Sequence, residues 1–209
     1  MKKLFLISLL AMFMVSLVSC EKKKQQPQEP VVSMSELVVE KTVSADREYM
    51  FLNYGEDYRW YETCILLNDF LDAEECDGTI AGVSNIFQFI VNQDSTSADI
   101  AVLLSAYGYG KHTYEVKEGF WVGDSPMNED TIKITFKQAF ERVMEANYPK
   151  PHSRHCVLRR EVGPVPDVAP QYVFGNQRAQ LYVDAVTGEV KDTNPAFEGY
   201  LGKPLGEWP

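Results

Sequence analysis

The chain has 209 residues, 45% of them hydrophobic, with 30 acidic against 20 basic side chains and a net charge of −10. That length and apolar content suffice for one large or two small domains with real cores. An acidic chain gains nothing from contact with a polyanion, which argues against nucleic acid as a partner and favours cationic ones.

In chain order, the opening MKKLFLISLLAMFMVSLVSC sets Lys2 and Lys3 before an apolar run, Leu4 to Val18, that ends in small residues and Cys20. A basic start and a short apolar stretch read as a secretory signal, too short to be a stable spanning helix. The alternatives are an ordinary signal with an incidental cysteine, or an uncleaved anchor. Leu17-Val18-Ser19-Cys20 resembles the lipobox of bacterial lipoproteins. The resemblance implies a signal peptide at 1–19, cleavage before Cys20, and acylation of its thiol and of the new amino terminus. It also implies a cell-envelope location at the outer membrane or periplasmic face. Each buried methylene adds roughly 0.8 kcal/mol, so several acyl chains anchor a protein without further membrane contact. Losing residues 1–19 removes two lysines and no acid, taking the net charge from −10 to −12.

Residues 20–35, EKKKQQPQEPVVSM and its flanks, are polar and proline-containing and read as a flexible tether. Its lysines either rest on anionic headgroups or are simply solvated. No second long apolar run follows. Beyond Cys20 the cysteines are Cys64, Cys76 and Cys156, in what an exported protein meets as an oxidising space. Of the three pairings, Cys64–Cys76 closes the shortest loop and is preferred; three buried reduced thiols are the alternative.

From residue 36 the chain is rich in aromatic and β-branched residues. The polar centre NYGED predicts a hairpin with arms at 43–52 and 58–67, against a competing helical spacing of Trp60, Cys64, Leu67 and Leu71. SNIFQFIVN, ADIAVLLSAYG and HTYEVKEGFWVG have strand length and turn-type punctuation, so 36–124 reads as an antiparallel meander of about five strands. YGYGK lacks phosphate-loop spacing and is a turn.

At 125 the pattern changes. Phe136, Ala139, Phe140, Val143 and Met144 recur at helical intervals, with Thr135 as N-cap, Asn147 suited to the C-terminal position and Pro149 beyond it. RHCVLRREV, QYVFGN and AQLYVDAVTGEVKD then read as three or four strands. No repeat is detectable beyond a loose similarity of YEVKEGFWV to YVFGNQRAQLYV.

The order strand, helix, strands, then Tyr182-Val183-Asp184-Ala185, Thr187, Gly188, Glu189 and Val190, with Ala139 on the helix, resembles the PepSY and PepSY-like domains of bacterial secreted and envelope proteins. The likeness covers about sixty residues, and REVGPVPDVAPQ departs from the compact family pattern. It implies a non-catalytic module with one helix packed on an antiparallel sheet, some family members being inhibitory or chaperone-like. The predicted class is α+β: a β-rich unit at 36–124, a PepSY-like unit at 125–200 and a tail at 201–209.

Each candidate chemistry has a structural counterpart. Asp184, Thr187 and Gly188 form a turn motif; one carboxylate is far below the six to eight oxygens calcium takes. His152, His155 and Cys156 are ligand types, but their spacing matches no zinc site. An extended chain puts His155 and Cys156 on opposite faces, so they suit neither a metal nor a Cys-His pair. Arg159 and Arg160 suit carboxylate or glycan recognition, or bridge to surface acids. The aromatics Tyr49, Phe51, Tyr54, Tyr58, Trp60, Tyr61, Phe120 and Trp121 serve the core or, where exposed together, a stacking platform. The expectation is a non-enzymatic, cofactor-free envelope protein, held to the membrane through Cys20, that binds a protein or peptide. The alternatives are a carbohydrate-binding surface lipoprotein and a hydrolase with an unrecognised site.

Overall fold

The computed structural model describes residues 37–93, 98–122, 124–165 and 167–199. The signal segment, Cys20, the tether to residue 35 and the tail at 201–209 lie outside them.

Helix α1 spans Val39–Tyr54 and is followed by strands β1 (Tyr58–Leu67), β2 (Ile80–Gln93), β3 (Ala98–Gly108) and β4 (Lys111–Glu118). A two-residue β5 (Asp124–Ser125) leads to helix α2 (Phe136–Glu145). Strands β6 (His155–Glu161), β7 (Gln171–Asn176), β8 (Ala179–Asp184) and β9 (Val190–Lys191) follow. All pairings are antiparallel, in the order β4-β3-β2-β1-β6-β7-β8-β9, with β5 beside β6. The fold is thus mixed, with two described helices and a mostly β, nine-stranded sheet.

The topology repeats where the sequence does not. Each half is a helix followed by a four-strand meander, and the first strands of the two meanders, β1 and β6, pair at the centre with Glu62 opposite Arg159 and Ile65 opposite Cys156. The halves divided at 124/125 therefore share one sheet and one core.

Strand alternation sorts side chains between two faces. On one, Ile65, Phe87, Leu103, Cys156, Leu158 and Phe174 meet the buried sides of both helices, including Val43, Met50, Phe140 and Val143. Both helices thus lie on the same face. Glu40 of α1 fastens them together, its carboxylate accepting from the Phe136 backbone N–H at 2.8 Å. A carboxylate at a helix N-terminus satisfies an otherwise unbonded donor and complements the dipole. At the same end Thr135 and Gln138 form a reciprocal capping box. The C-cap is Ala146 in an extended conformation, one residue before the expected Asn147.

Residues 43–52 correct the predicted hairpin, since they belong to α1. Val39, Thr42, Val43, Asp46, Tyr49 and Met50 are its buried stripe, spaced by threes and fours. Two of these are polar, while Phe51 and Leu52 are exposed at 53% and 57%. That inversion hides the amphipathic period. Gly55, with φ of 84°, lets the chain leave the helix, so NYGED joins a helix to a strand. The strand expected to run through residue 123 ends at Glu118, and the strand expected to open the PepSY-like order just before α2 is replaced by a single 3₁₀ turn at Glu129–Thr131, with only the two-residue β5 upstream of it.

Candidate functional site

Among the described residues no α-helix packs on the sheet's second face; a 3₁₀ turn, Pro195–Phe197, meets it at one end, where its N-cap Asn194 donates to Glu161. Register places Glu62, Cys64 and Leu66 of β1, Ser84 and Gln88 of β2, Leu104 and Ala106 of β3, and Val157 and Arg159 of β6 on this face. Cys64, Leu66, Ser84, Leu104 and Val157 are partly accessible and Ala106 is exposed, a largely uncharged strip across four strands. Segment 119–122 follows β4 and straps one end of this face. The Trp121 N–H donates to Gln88 Oε1 at 2.9 Å and its indole to Asp124 Oδ2 at 3.1 Å, while Phe120 and Val122 are each 67% exposed.

Beside the strap lies a charged cluster. Glu62 is only 8% exposed, and burial, reinforced by the Asp124 carboxyl, raises its pKa. It accepts from Cys64 Sγ at 2.9 Å. Arg159 pairs with Glu161, which also accepts from Asn194. Burial first, then Glu62, pushes the Cys64 thiol up to about 12. A thiol held protonated in this way is a poor nucleophile.

The second cluster lies under α1, and sequence reasoning missed it. Asp46 is fully buried, and its carboxylate accepts from Asn85 Nδ2 at 2.7 Å, Tyr114 Oη at 3.0 Å, and the hydroxyls of Ser105 and Tyr107. Asn85 in turn accepts from Thr63 Oγ1 at 2.6 Å, and Thr63 from the Trp60 indole at 3.2 Å. The chain of donors runs from the sheet's central strand to the helix. Around it Tyr49 stacks on Tyr114 at 3.8 Å and Tyr107 on His112 at 4.0 Å, with His112 Nε2 3.9 Å from Asp46. Burial raises the Asp46 pKa against the opposing pull of its hydrogen bonds, and raises those of both tyrosines. A buried carboxyl with four donors ties a helix to three strands. Its signal in the sequence was one acid inside a stripe of apolar spacing.

The sequence candidates separate in space. His152 stacks on Phe70 at 4.2 Å and meets Asp72 at 3.0 Å, His155 is exposed on β6, and Cys156 is fully buried under the helices with its pKa raised by burial. Among the described residues no three His, Cys, Asp or Glu side chains are grouped to hold a metal ion. Cys64, Cys76 and Cys156 are all free thiols, which corrects the preferred Cys64–Cys76 bridge. Cys64 is on the helix-free face, whereas Cys76 packs against the core on the other side of the sheet. Arg160 bonds the Val168 carbonyl at 3.0 Å and Asp167 at 3.2 Å, an internal partner set. Of the aromatics, Tyr49 and Trp60 are buried and Phe51 and Phe120 are exposed on separate elements.

Asp184, Thr187 and Gly188 build a turn. Asp184 Oδ1 accepts from the N–H groups of Val186 and Thr187, each at 2.8 Å, and Gly188 takes φ of 76°. Between them, buried Ala185 accepts from the N–H groups of Lys133 and Ile134 at 2.8 and 3.0 Å, holding the approach to α2. Compared with known proteins, the chain matches no family model, no curated protein and no solved structure.

Proposed function

We infer that the protein is a non-enzymatic, lipid-anchored cell-envelope protein that binds a protein or peptide partner on the helix-free face of its sheet. The observation that carries this reading is the largely uncharged strip across β1, β2, β3 and β6, which no α-helix among the described residues covers, because wide, weakly charged, partly apolar surfaces suit macromolecular partners. Two thiols with raised pKa values and a fully engaged buried carboxyl favour binding over chemistry. The PepSY-like reading of the second half rests on the 182–190 motif and on a helix before an antiparallel meander. Anchoring is assigned to Cys20 on its lipobox-like setting, Leu17-Val18-Ser19-Cys20.

Cys20→Ala is expected to move the protein from the membrane pellet to the soluble fraction, read by fractionation of cells. Continued sedimentation with membranes would remove the lipid anchor from the account.

A second reading, carbohydrate binding, draws on exposed Phe120 and on Trp121 held beside Asp124, since sugars stack on aromatics next to hydrogen-bonding acids. A Phe120→Ala-sensitive mobility shift on glycan-containing gels, with no envelope protein retained on a column of the same chain, would favour it over the first.

A further inference from the structure

The outer edge of β4 is a surface of its own, independent of what the helix-free face binds. β4 is eight residues long, pairs with β3 without a bulge from Gly108–Lys111 to Ala101–Glu118, and ends the sheet. Among the described residues no strand pairs with its outer side. Such an edge offers a row of unpaired N–H and C=O groups to another strand.

Turn geometry decides which groups face outward. Tyr109 and Gly110 both have positive φ, 50° and 71°, the signature of a two-residue type I′ hairpin. In that hairpin the flanking residues, Gly108 and Lys111, exchange hydrogen bonds, so Thr113, Glu115 and Lys117 point their backbone groups at β3. Tyr114, Val116 and Glu118 point theirs outward. Two copies meeting about a two-fold axis must oppose outward residues to outward residues, which leaves few registers. Centring on Glu115 or on Lys117 opposes like charges, and centring on Tyr114 sets Lys111 against Lys117. Centring on Thr113 opposes Lys111 to Glu115 twice but pairs only His112 with Tyr114 among the outward residues. Centring on Val116 opposes Glu115 to Lys117 twice and engages three outward residues, Tyr114, Val116 and Glu118. It does so at non-hydrogen-bonded positions, where side chains approach most closely.

We propose that this chain forms a two-fold homodimer through antiparallel pairing of β4 with the β4 of a second copy, with Val116 on the axis. Val116 is 47% exposed on the helix side of the edge. Leu52, 57% exposed, lies three residues beyond Tyr49, which stacks on Tyr114, and so on the same flank of α1. The two leucines and two valines give the axis an apolar centre. Glu115 and Lys117 lie 3.3 Å apart with side-chain exposures of 62% and 55%, so each can reach a partner of the opposite sign on the other copy. Pairing about this axis joins the two sheets and puts both helix-free faces on the same side.

The test uses two differently tagged copies of the full chain made in the same cells, capturing one tag and measuring the other. Wild type is expected to capture wild type. Glu115→Lys with itself, and Lys117→Glu with itself, replace both attractive pairs by repulsive ones, and capture is expected to fall about tenfold. Glu115→Lys with Lys117→Glu restores two opposite-charge pairs across the axis, and capture is expected to return. Absence of wild-type capture, unchanged capture with either single variant, or a mixed pair no better than the matched ones would each overturn the dimer. Normal circular dichroism of each variant separates lost pairing from lost folding.

Discussion

Replacing Asp46 with alanine is expected to lower unfolding free energy by about 3–5 kcal/mol, measured by urea denaturation, because it strands a buried hydrogen-bond network. Asn85, Ser105, Tyr107 and Tyr114 all direct donors at this carboxylate, and none of the four has another acceptor of equal charge in the network. Asp46→Asn keeps the shape but turns an amide N–H₂ toward those donors, so its cost is expected to be smaller. The pH dependence has a definite sign. Burial raises the native pKa of Asp46 above its unfolded value, so the folded state binds the proton more tightly. The stability this contributes is fully present below the unfolded value near 3.8 and is lost as pH rises through the raised native value. The stability of wild type relative to Asp46→Asn should therefore fall across that window. A difference that grows with pH would contradict the assignment.

Ile65→Ala is expected to cost about 2–5 kcal/mol and to weaken both halves together. Ile65 is 1% exposed, pairs with Val83 on one side and Cys156 on the other, and so occupies the seam between the two meanders. Because both helices draw on one core, local loss at the seam becomes global loss. Amide hydrogen exchange checks this: protection in β3 and in β7 should fall by the same factor. Loss confined to β1 and β2 would mean that the halves are independent domains.

What was legible in the sequence is what local chemistry encodes. The Thr135 N-cap of α2, the turn at Asp184–Gly188 and the strands β1 to β4 each depend on residues close in the chain, and each is present. Helix α1 was not legible, because its buried stripe spends two positions on Thr42 and Asp46 while Phe51 and Leu52 face solvent. The network that explains those polar positions joins residues 39 to 68 apart in sequence, which no window reads. Cysteine pairing failed for a related reason: Cys64 and Cys76 are neighbours in sequence but are divided by the sheet. The internal repeat is one of topology, since each half needs only an apolar alternation and a helix of the right length.

Binding of a partner on the helix-free face is tested by photo-crosslinking in intact cells. A crosslinking residue replaces Leu104, in the uncharged strip, or Lys137, on the helix layer, in the full-length tethered chain. A discrete protein adduct is expected from position 104 and none from position 137. Adducts of equal yield from both positions, or from position 137 alone, would contradict binding on this face.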